Sequence, residues 1–558
     1  MNKKANSNKR RGNKNSYKNY QNAKGIQNLK EDIAMTKSFN NIKYWNKIPQ
    51  LMEAAGNIGY SDVTGLPLDG LYTGNEAALE DINRDRFYPL AVLKYTETFG
   101  ISDSLDSPVN VAAQAIYSFI RHKNSGSRNY EFQDYMTYVM AIRSLYSYFG
   151  MLTKVYGLFN TWSSRNRMIA RPIIQALGFD YDDLSNQLAD FRAYINLFAV
   201  KANSFCVPKE FDIYDRSIEL PLHVYKDADT DKSSLYTFMP SGFYRWNGTK
   251  YDTGSALEWV PFNPENEALT LDDLVEFGDA LIAAMYYNED IGIMSGDTQK
   301  AFGEVRELKG IDPAYATLPI YDQGMLAQIH HAKPVGYATT QCLDGDGVYN
   351  TCDIYQTPEY GLVYHPALSH NPVDDPWIIE TLQDFDSVRG LVTMSNILDC
   401  GHDKPSVEYN IEATRLMCSV HYQITENSDS TISVEDCGTE FINDILLFNP
   451  NISSGPISYI LDVLTLSNAV FTAPNTDNLG TVFAYFNYLT RTTQFDWFPL
   501  IILLKSGHSS IANTDYPKSL LFGDFYNYTV LNKKVLKYMN QSCLFSILNI
   551  PAYTVRWA

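Results

Sequence analysis

YMTYVMAIRSLYSYFGMLTKVYGLFNTWSS, residues 135–164, holds two charges in thirty positions, Arg143 and Lys154. Apolar and aromatic residues recur at Tyr135, Val139, Ile142, Tyr146, Phe149, Leu152, Tyr156 and Phe159, in the steps of three and four that mark an α-helix. Tyr138, Leu145 and Leu158 fill the flanking faces, so the spacing predicts a helix that is apolar nearly all round and buried within a large body. An arginine-rich turn follows (Arg165, Arg167, Arg171), and Pro172 is read as opening a short helical piece that Gly178 closes. Asp180, Asp182 and Asp183 stand where a helix start favours negative charge. A second helix then sets Leu184, Leu188, Phe191, Ile195 and Phe198 on one face, and Val207-Pro208 is expected to stop it.

Outward from this core, a helix is expected near Pro108 to Arg121. Asn247-Gly248, between Phe243-Tyr244-Arg245-Trp246 and Thr249-Lys250-Tyr251, predicts a hairpin turn, because Asn-Gly accepts the positive φ values of a type I′ turn. Thr270 and Asp273 read as a capping box for a helix carrying Leu274, Leu281, Ile282 and Met285. From about 310 to 440 the pattern shortens to strands of a few residues among Pro, Gly and Asp, and apolar segments return after Phe441. The acidic loop Asp344-Gly345-Asp346-Gly347 lacks the glycine and closing glutamate of an EF-hand and reads as a turn.

Charge is divided unevenly. The chain of 558 residues has a net charge of −19, yet Lys3, Lys4, Lys9, Arg10, Arg11, Lys14, Lys18, Lys24 and Lys30 stand in the first thirty residues with no acid among them, which leaves −28 for the rest. A segment of Asn, Lys, Ser and Gly cannot bury enough apolar surface to offset its ordering entropy, so residues 1–37 are expected to form a disordered basic arm. Its nine cations match the phosphate charge of about 15 Å of duplex. Tyr17 and Tyr20 add rings that stack on exposed bases. Those nine residues are the candidate RNA-binding set, against the plainer reading of a solubilising tail or a nuclear localisation signal at Lys9-Arg10-Arg11. The Arg165, Arg167, Arg171 cluster is either a second RNA contact or, the preferred reading, an ion-pair partner of Asp180, Asp182 and Asp183.

Other chemistry finds little support. The seven cysteines are scattered and odd in number, which suits reduced thiols of a cytosolic setting. His330, His331, Cys342, Cys352 and His365 lack zinc-finger spacing, and the adjacent histidines are expected to point apart, so no metal and no cofactor are expected. The P-loop, H-E-x-x-H, G-x-S-x-G and Gly-Asp-Asp signatures are absent. Ser506-Gly507-His508-Ser509 sets a histidine beside serines, but a triad is assembled in space and adjacency says nothing of one. No catalytic residue is assigned. The longest apolar run, Trp497 to Leu504, is too short to span a bilayer, and no apolar segment backs the basic N-terminus as a secretory signal would require.

Several ordered runs carry a family resemblance. Leu145-Tyr146-Ser147-Tyr148, Val155-Tyr156-Gly157, Gly178-Phe179-Asp180-Tyr181-Asp182-Asp183-Leu184, Leu188-Ala189-Asp190-Phe191-Arg192-Ala193-Tyr194-Ile195-Asn196, Cys206-Val207-Pro208 and Met239-Pro240-Ser241-Gly242-Phe243-Tyr244 together resemble the capsid proteins of picobirnaviruses over residues 130–245. The resemblance implies a predominantly α-helical shell domain with a mixed α/β, loop-rich projecting domain inserted in it. It also implies homodimers that assemble into a small icosahedral capsid around a double-stranded RNA genome, with no membrane needed. A location in the virion, after assembly in the host cytoplasm, goes with it. Self-cleavage that sheds an N-terminal peptide is a further implication, for which the sequence marks no cleavage residue. With limits taken from the changes in pattern, the expected division is an arm at 1–37, shell at 38–235 and 441–558, and projecting domain at 236–440. The competing reading is a cellular RNA-binding enzyme with a basic tail, which requires a deep pocket of convergent titratable groups. A coat protein of another double-stranded RNA virus is a third.

Overall fold

The computed structural model describes residues 90–554 apart from 125, 127–129, 162–166, 229–232, 265–266, 333–334, 344–346, 350–351, 369–396, 400–405, 425–429, 452–459, 466–502, 505–519 and 522–526. Contacts divide the chain into two units, 1–63 and 64–558, and all described residues belong to the second. Among the described residues the helices are α1 (Pro108–Lys123), α2 (Phe132–Thr161), α3 (Arg167–Ala176), α4 (Tyr181–Asn186), α5 (Leu188–Ala202), α6 (Ile213–Leu222), α7 (Leu271–Tyr286), α8 (Glu289–Phe302), α9 (Gln323–His330), α10 (Val407–Ala413), α11 (Lys533–Ile547) and α12 (Ile550–Thr554).

The stretch at 135–164 is α2, and every side chain from Tyr135 to Phe159 is buried. Burying so many tyrosines requires partners for their hydroxyls. Tyr138 donates to the Cys206 carbonyl at 2.7 Å, Tyr148 to the Leu274 carbonyl at 2.6 Å and Tyr156 to the Pro313 carbonyl at 2.9 Å. Tyr135 shares a 2.9 Å bond with the Thr298 hydroxyl. Each bond ties α2 to a different neighbour, so the helix is the axle of the body. Gly150 sets its closest approach: a Cβ there would lie 2.7 Å from the Ile218 carbonyl of α6. The Tyr148 ring also packs on Phe243, Phe262 and Phe277, so residues on both sides of position 235 share one core.

Beside the helices lies a five-stranded sheet in the order β15-β14-β1-β3-β2, built from β1 (Leu90–Glu97), β2 (Val224–Lys226), β3 (Leu235–Pro240), β14 (Glu440–Asn451) and β15 (Ile460–Thr465). β1 pairs antiparallel with β14 and parallel with β3. Its side chains alternate between two cores: Leu90 and Val92 join the α2 core, while Ala91, Leu93 and Tyr95 join Leu220, Phe238, Met325 and Ile442 on the other face. The body is thus mixed α/β rather than helical alone. LAVLKYTE is a run that periodicity does not separate from a helix, since a strand buried on both faces loses its alternation.

Between β3 and β14 the chain adds a hairpin of β4 (Gly242–Tyr251) and β5 (Gly254–Pro261), and a pair of β8 (Tyr355–Thr357) and β9 (Gly361–Val363). A second five-stranded sheet, β12-β13-β10-β6-β7, uses β6 (Ala338–Leu343), β7 (Gly347–Tyr349), β10 (Pro366–Leu368), β12 (Cys418–Ile424) and β13 (Ser430–Cys437). A short β11 (Ile397–Asp399) pairs antiparallel with Tyr528–Val530.

The expected helix near Pro108 is α1, and the Thr270–Asp273 capping box opens α7 with Leu274, Leu281, Ile282 and Met285 buried. Three local readings are corrected. The hairpin turns at Asp252-Thr253, where Tyr251 pairs with Gly254 at φ 134°, and Asn247-Gly248 instead begins a bulge in β4. There the Asn247 side chain accepts from the Thr249 amide at 3.1 Å, which satisfies the bulge locally. Pro172 lies inside α3, which begins earlier at Arg167. The second helix is two, α4 and α5, broken at Gln187, and it ends at Ala202 under an Asn203 cap, before Val207-Pro208.

Candidate functional site

The candidate RNA-binding residues Lys3 to Lys30 lie outside the described residues, as do Arg165, Asp344, Asp346 and the Ser506–Ser509 run. Of the arginine cluster, Arg171 settles on the ion-pair side. Its guanidinium donates to both carboxylate oxygens of Asp182, at 2.9 and 2.5 Å, and lies 4.4 Å from the centre of the Tyr181 ring. Arg171 accordingly holds the Asp182 carboxyl below its ordinary pKa. Asp180 and Asp183 do other work. Asp180 caps α4 by accepting from the amides of Asp182 and Asp183, and Asp183 accepts from the Leu271 amide at 2.8 Å, joining the starts of α4 and α7.

The adjacent histidines do not point apart. Their ring centroids are 4.6 Å apart, because His330 ends α9 and His331 caps it outside helical geometry. Both nitrogens of His331 are engaged: Nδ1 with the Ala327 carbonyl at 2.7 Å, and Nε2 accepting from the Asp399 amide at 2.9 Å. Burial, with His330 beside it, pushes His331 down to about 3, so its ring is neutral at physiological pH. His330 Nε2 stands 3.7 Å from an Asp399 carboxylate oxygen. Cys352 donates its thiol to the Ala338 carbonyl at 2.7 Å, and burial pushes that thiol up to about 12. Among the described residues no three His, Cys, Asp or Glu side chains converge to hold a metal. The cavity walled by Phe99, Val109, Met140, Leu257, Ile354 and Leu362 is about 20 Å³, room for roughly one water, and no carboxylate, imidazole or thiol lines it. Tyr364 is the one titratable side chain in its lining, so no set of acid–base groups converges there.

Arg143 and Lys154, the two lone charges beyond the first turn of α2, lead to what sequence reasoning missed. The register of β1 and β14 places Glu97 directly opposite Glu440, a like-charged pair that repels when buried. Arg143, fully buried on α2, reaches between them. It pairs with Glu440 through Nη2, lies 3.4 Å from Glu97 through Nε, and donates to the Thr98 carbonyl at 2.6 Å and the Ser217 hydroxyl at 2.8 Å. Arg216 of α6 donates to the other Glu440 oxygen at 3.2 Å and to Gln328 of α9 at 2.8 Å. One charged knot therefore joins two strands and three helices. Burial pushes the Glu97 carboxyl up to about 7 against the pull of Arg143. Burial also acts to raise Glu440, but Arg216 and Arg143 outweigh it and hold that carboxyl below its ordinary value.

Lys154 is the second lone charge. Its Nζ donates to the Thr237 hydroxyl at 2.9 Å and the Phe238 carbonyl at 2.6 Å, so it meets polar oxygens of β3 rather than a carboxylate. Burial lowers it to about 7. Both α2 charges serve to pin the helix onto the sheet. Isolated charges in an apolar helix are the one signal that marked them in the sequence.

The fold so assembled is a virus coat fold. It resembles the X-ray crystallographic structure of the picobirnavirus capsid with a TM-score of 0.71 and 22% sequence identity, covering 91% of this chain and 98% of that one. The picobirnavirus capsid protein family model matches residues 44–506, and the chain belongs to that family. A relative is the capsid protein precursor of human picobirnavirus, strain Human/Thailand/Hy005102, which is 27% identical over 528 residues, or 92% of this chain and 91% of that protein. The chain is thus a structural coat protein and a component of the virion, built to associate with copies of itself. Among the described residues no helix is long and apolar enough to cross a membrane.

Proposed function

We propose that this coat protein pairs as homodimers, closes into a small icosahedral shell, and encloses a double-stranded RNA genome whose backbone the N-terminal arm contacts without reading sequence. The observation that carries the arm's part is the charge division: nine cations in thirty residues on a chain of net charge −19. An acidic body repels polyanions, so affinity for RNA must reside in the segment of opposite sign. Lys3, Lys4, Lys9, Arg10, Arg11, Lys14, Lys18, Lys24 and Lys30 are the contacts on this reading. Such contacts position the phosphates and carry no sequence information. Nine cations per copy meet only part of a packaged genome's charge, and small cations meet the rest.

The division into arm, shell and inserted projecting domain is part of the same reading, with expected limits at 37, 235 and 440. Packing of Phe243, Phe262 and Phe277 on Tyr148 argues for moving the first shell limit beyond α7 and leaving the second sheet as the centre of the insertion. Loss of an N-terminal peptide by self-cleavage is also carried forward, since the human relative is described as a precursor. Intact mass before and after assembly reads that loss directly.

The test of the arm is packaging. Full-length protein and a variant lacking residues 1–30 are expressed, and nuclease-resistant RNA is measured in the purified assemblies. Protected RNA in the full-length sample and its loss from the truncated one is the expected result. Equal protection in both overturns the arm as the RNA contact.

A further inference from the structure

We propose that the exposed face shared by α5 and α7 is a contact surface against a second copy of this chain in the assembled coat, an inference that rests on the coat-protein reading and deepens it. A helix on the surface of a body ordinarily turns its polar side outward. α5 does not. Phe191, Tyr194, Ile195 and Phe198 fill its inner face, yet its outer face carries Ala193, Leu197 and Val200, with Leu197 51% and Val200 69% exposed. α7 repeats the pattern in its second half: Leu281 and Ile282 are buried, while Ala283 is exposed and Tyr286 and Tyr287 at the helix end are 61% and 86% exposed, whereas its first half turns Asp272, Asp273 and Glu276 outward. Neither helix requires those outward residues for its own packing.

The two helices form one preorganised platform. The Tyr194 hydroxyl donates to the Leu274 carbonyl at 3.3 Å, and Lys201 pairs with Asp279 at 2.7 Å. These ties occur in the same order along both helices, so they run alongside each other; Val200 precedes Lys201 in α5, and Ala283 lies one turn beyond Asp279 in α7. Gly278 permits the approach, since a Cβ there would lie 2.2 Å from the Tyr194 hydroxyl. The Tyr286 and Tyr287 rings brace each other edge to face, with centroids 5.7 Å apart at 82°. Rigid exposed tyrosines beside aliphatic residues are the composition of an interface core.

Charge selects the occupant. The central residues carry no formal charge, and Lys201 and Asp279 neutralise each other. Exposed Asp190, Glu276, Glu289 and Asp290 rim the platform, and Arg192 is half-buried. An acidic rim excludes RNA phosphates, so the face suits protein. Copies of a chain with net charge −19 repel one another, and they associate at least cost where an uncharged patch is desolvated. For a coat protein the partner present in abundance is a second copy.

The experiment uses the full-length chain, a Leu197→Glu/Val200→Glu variant and a Tyr286→Ser/Tyr287→Ser variant. Particle yield at fixed concentration is counted by electron microscopy, and circular dichroism melting checks the fold. Both variants are expected to melt like the parent and to give at least about tenfold fewer particles, the loss expected when a hot spot is removed. Hydroxyl-radical labelling of the unmodified chain is the second measurement. Leu197, Tyr286 and Tyr287 are expected to label in dissociated protein and to be shielded in particles. Folded variants that assemble at the parental yield overturn the proposal, as does labelling that is unchanged by assembly or already absent in dissociated protein. An unmodified chain that forms no particles removes the coat reading and this face together, whereas particles from parent and variants alike remove the face alone.

Discussion

Arg143 stands between two carboxylates that the strand register sets opposite each other, and its removal leaves Glu97 buried without its cation and Glu440 with Arg216 alone. Arg143→Met should therefore destabilise the chain by about 3–5 kcal/mol, the cost typical of breaking a buried pair from one side, as chemical denaturation will measure. Two buried groups also predict how stability varies with pH. Glu97 has its pKa raised from 4.5 to about 7, so the folded chain holds its proton more tightly; that contribution is full below 4.5 and is lost as pH rises through 7. Lys154 has its pKa lowered from 10.5 to about 7, so its contribution is full above 10.5 and is lost as pH falls toward 7. The two limbs meet in a stability minimum near neutrality, the Glu97 limb worth on the order of 3 kcal/mol and the Lys154 limb on the order of 5 kcal/mol at full extent. Melting temperatures across that range should show the falling limb flattened in Glu97→Gln and the rising limb flattened in Lys154→Met. The sequence displayed both α2 charges as lone charges in an apolar helix, but it hid their partners. Glu440 is 297 residues from Arg143, and no local pattern connects them.

Among elements, legibility followed the range of the interactions involved. The Thr270–Asp273 box, the Asp180 start of α4 and the periodicity of α2 are decided within a turn or two of chain, and the structure contains all three. β1 was hidden because tertiary burial on both faces erases alternation. The β4–β5 turn was misplaced because Asn247-Gly248 has turn chemistry that serves equally in a bulge. Of the candidate site residues, Arg171, Asp180, Asp182, Asp183, Cys352 and the His330–His331 pair fall within described side chains, and it took three-dimensional contacts to assign their partners. Close packing supplies a prediction at this scale. Alanine favours a helix over glycine by about 1 kcal/mol, yet at position 150 a Cβ would meet the Ile218 carbonyl at 2.7 Å and Pro221 at 3.1 Å. The steric effect wins, so Gly150→Ala should destabilise by about 1–3 kcal/mol in denaturant unfolding, whereas Thr270→Ala should cost about 1 kcal/mol through the lost cap.

For the molecule as a whole, the division of charge and the outward apolar face have separate tasks on the proposed reading: an acidic body to meet other copies and a basic arm to meet RNA. A peptide of residues 1–30 should bind double-stranded RNA with a salt slope approaching about −8, because nine cations each displace nearly one counterion; a slope near zero would remove the arm from RNA binding. Family membership was visible in ordered short runs around α2, since those residues build the axle on which the coat fold depends. The proposed contact face was not, because an exposed alanine, valine or tyrosine looks like any core residue until the fold shows which way it faces. The most direct test of the coat-protein account is electron microscopy of purified full-length protein beside a chain of residues 31–558. Uniform closed particles from both would support a body that carries shell formation by itself. Monomers or small oligomers from both, across protein concentration and salt, would contradict it.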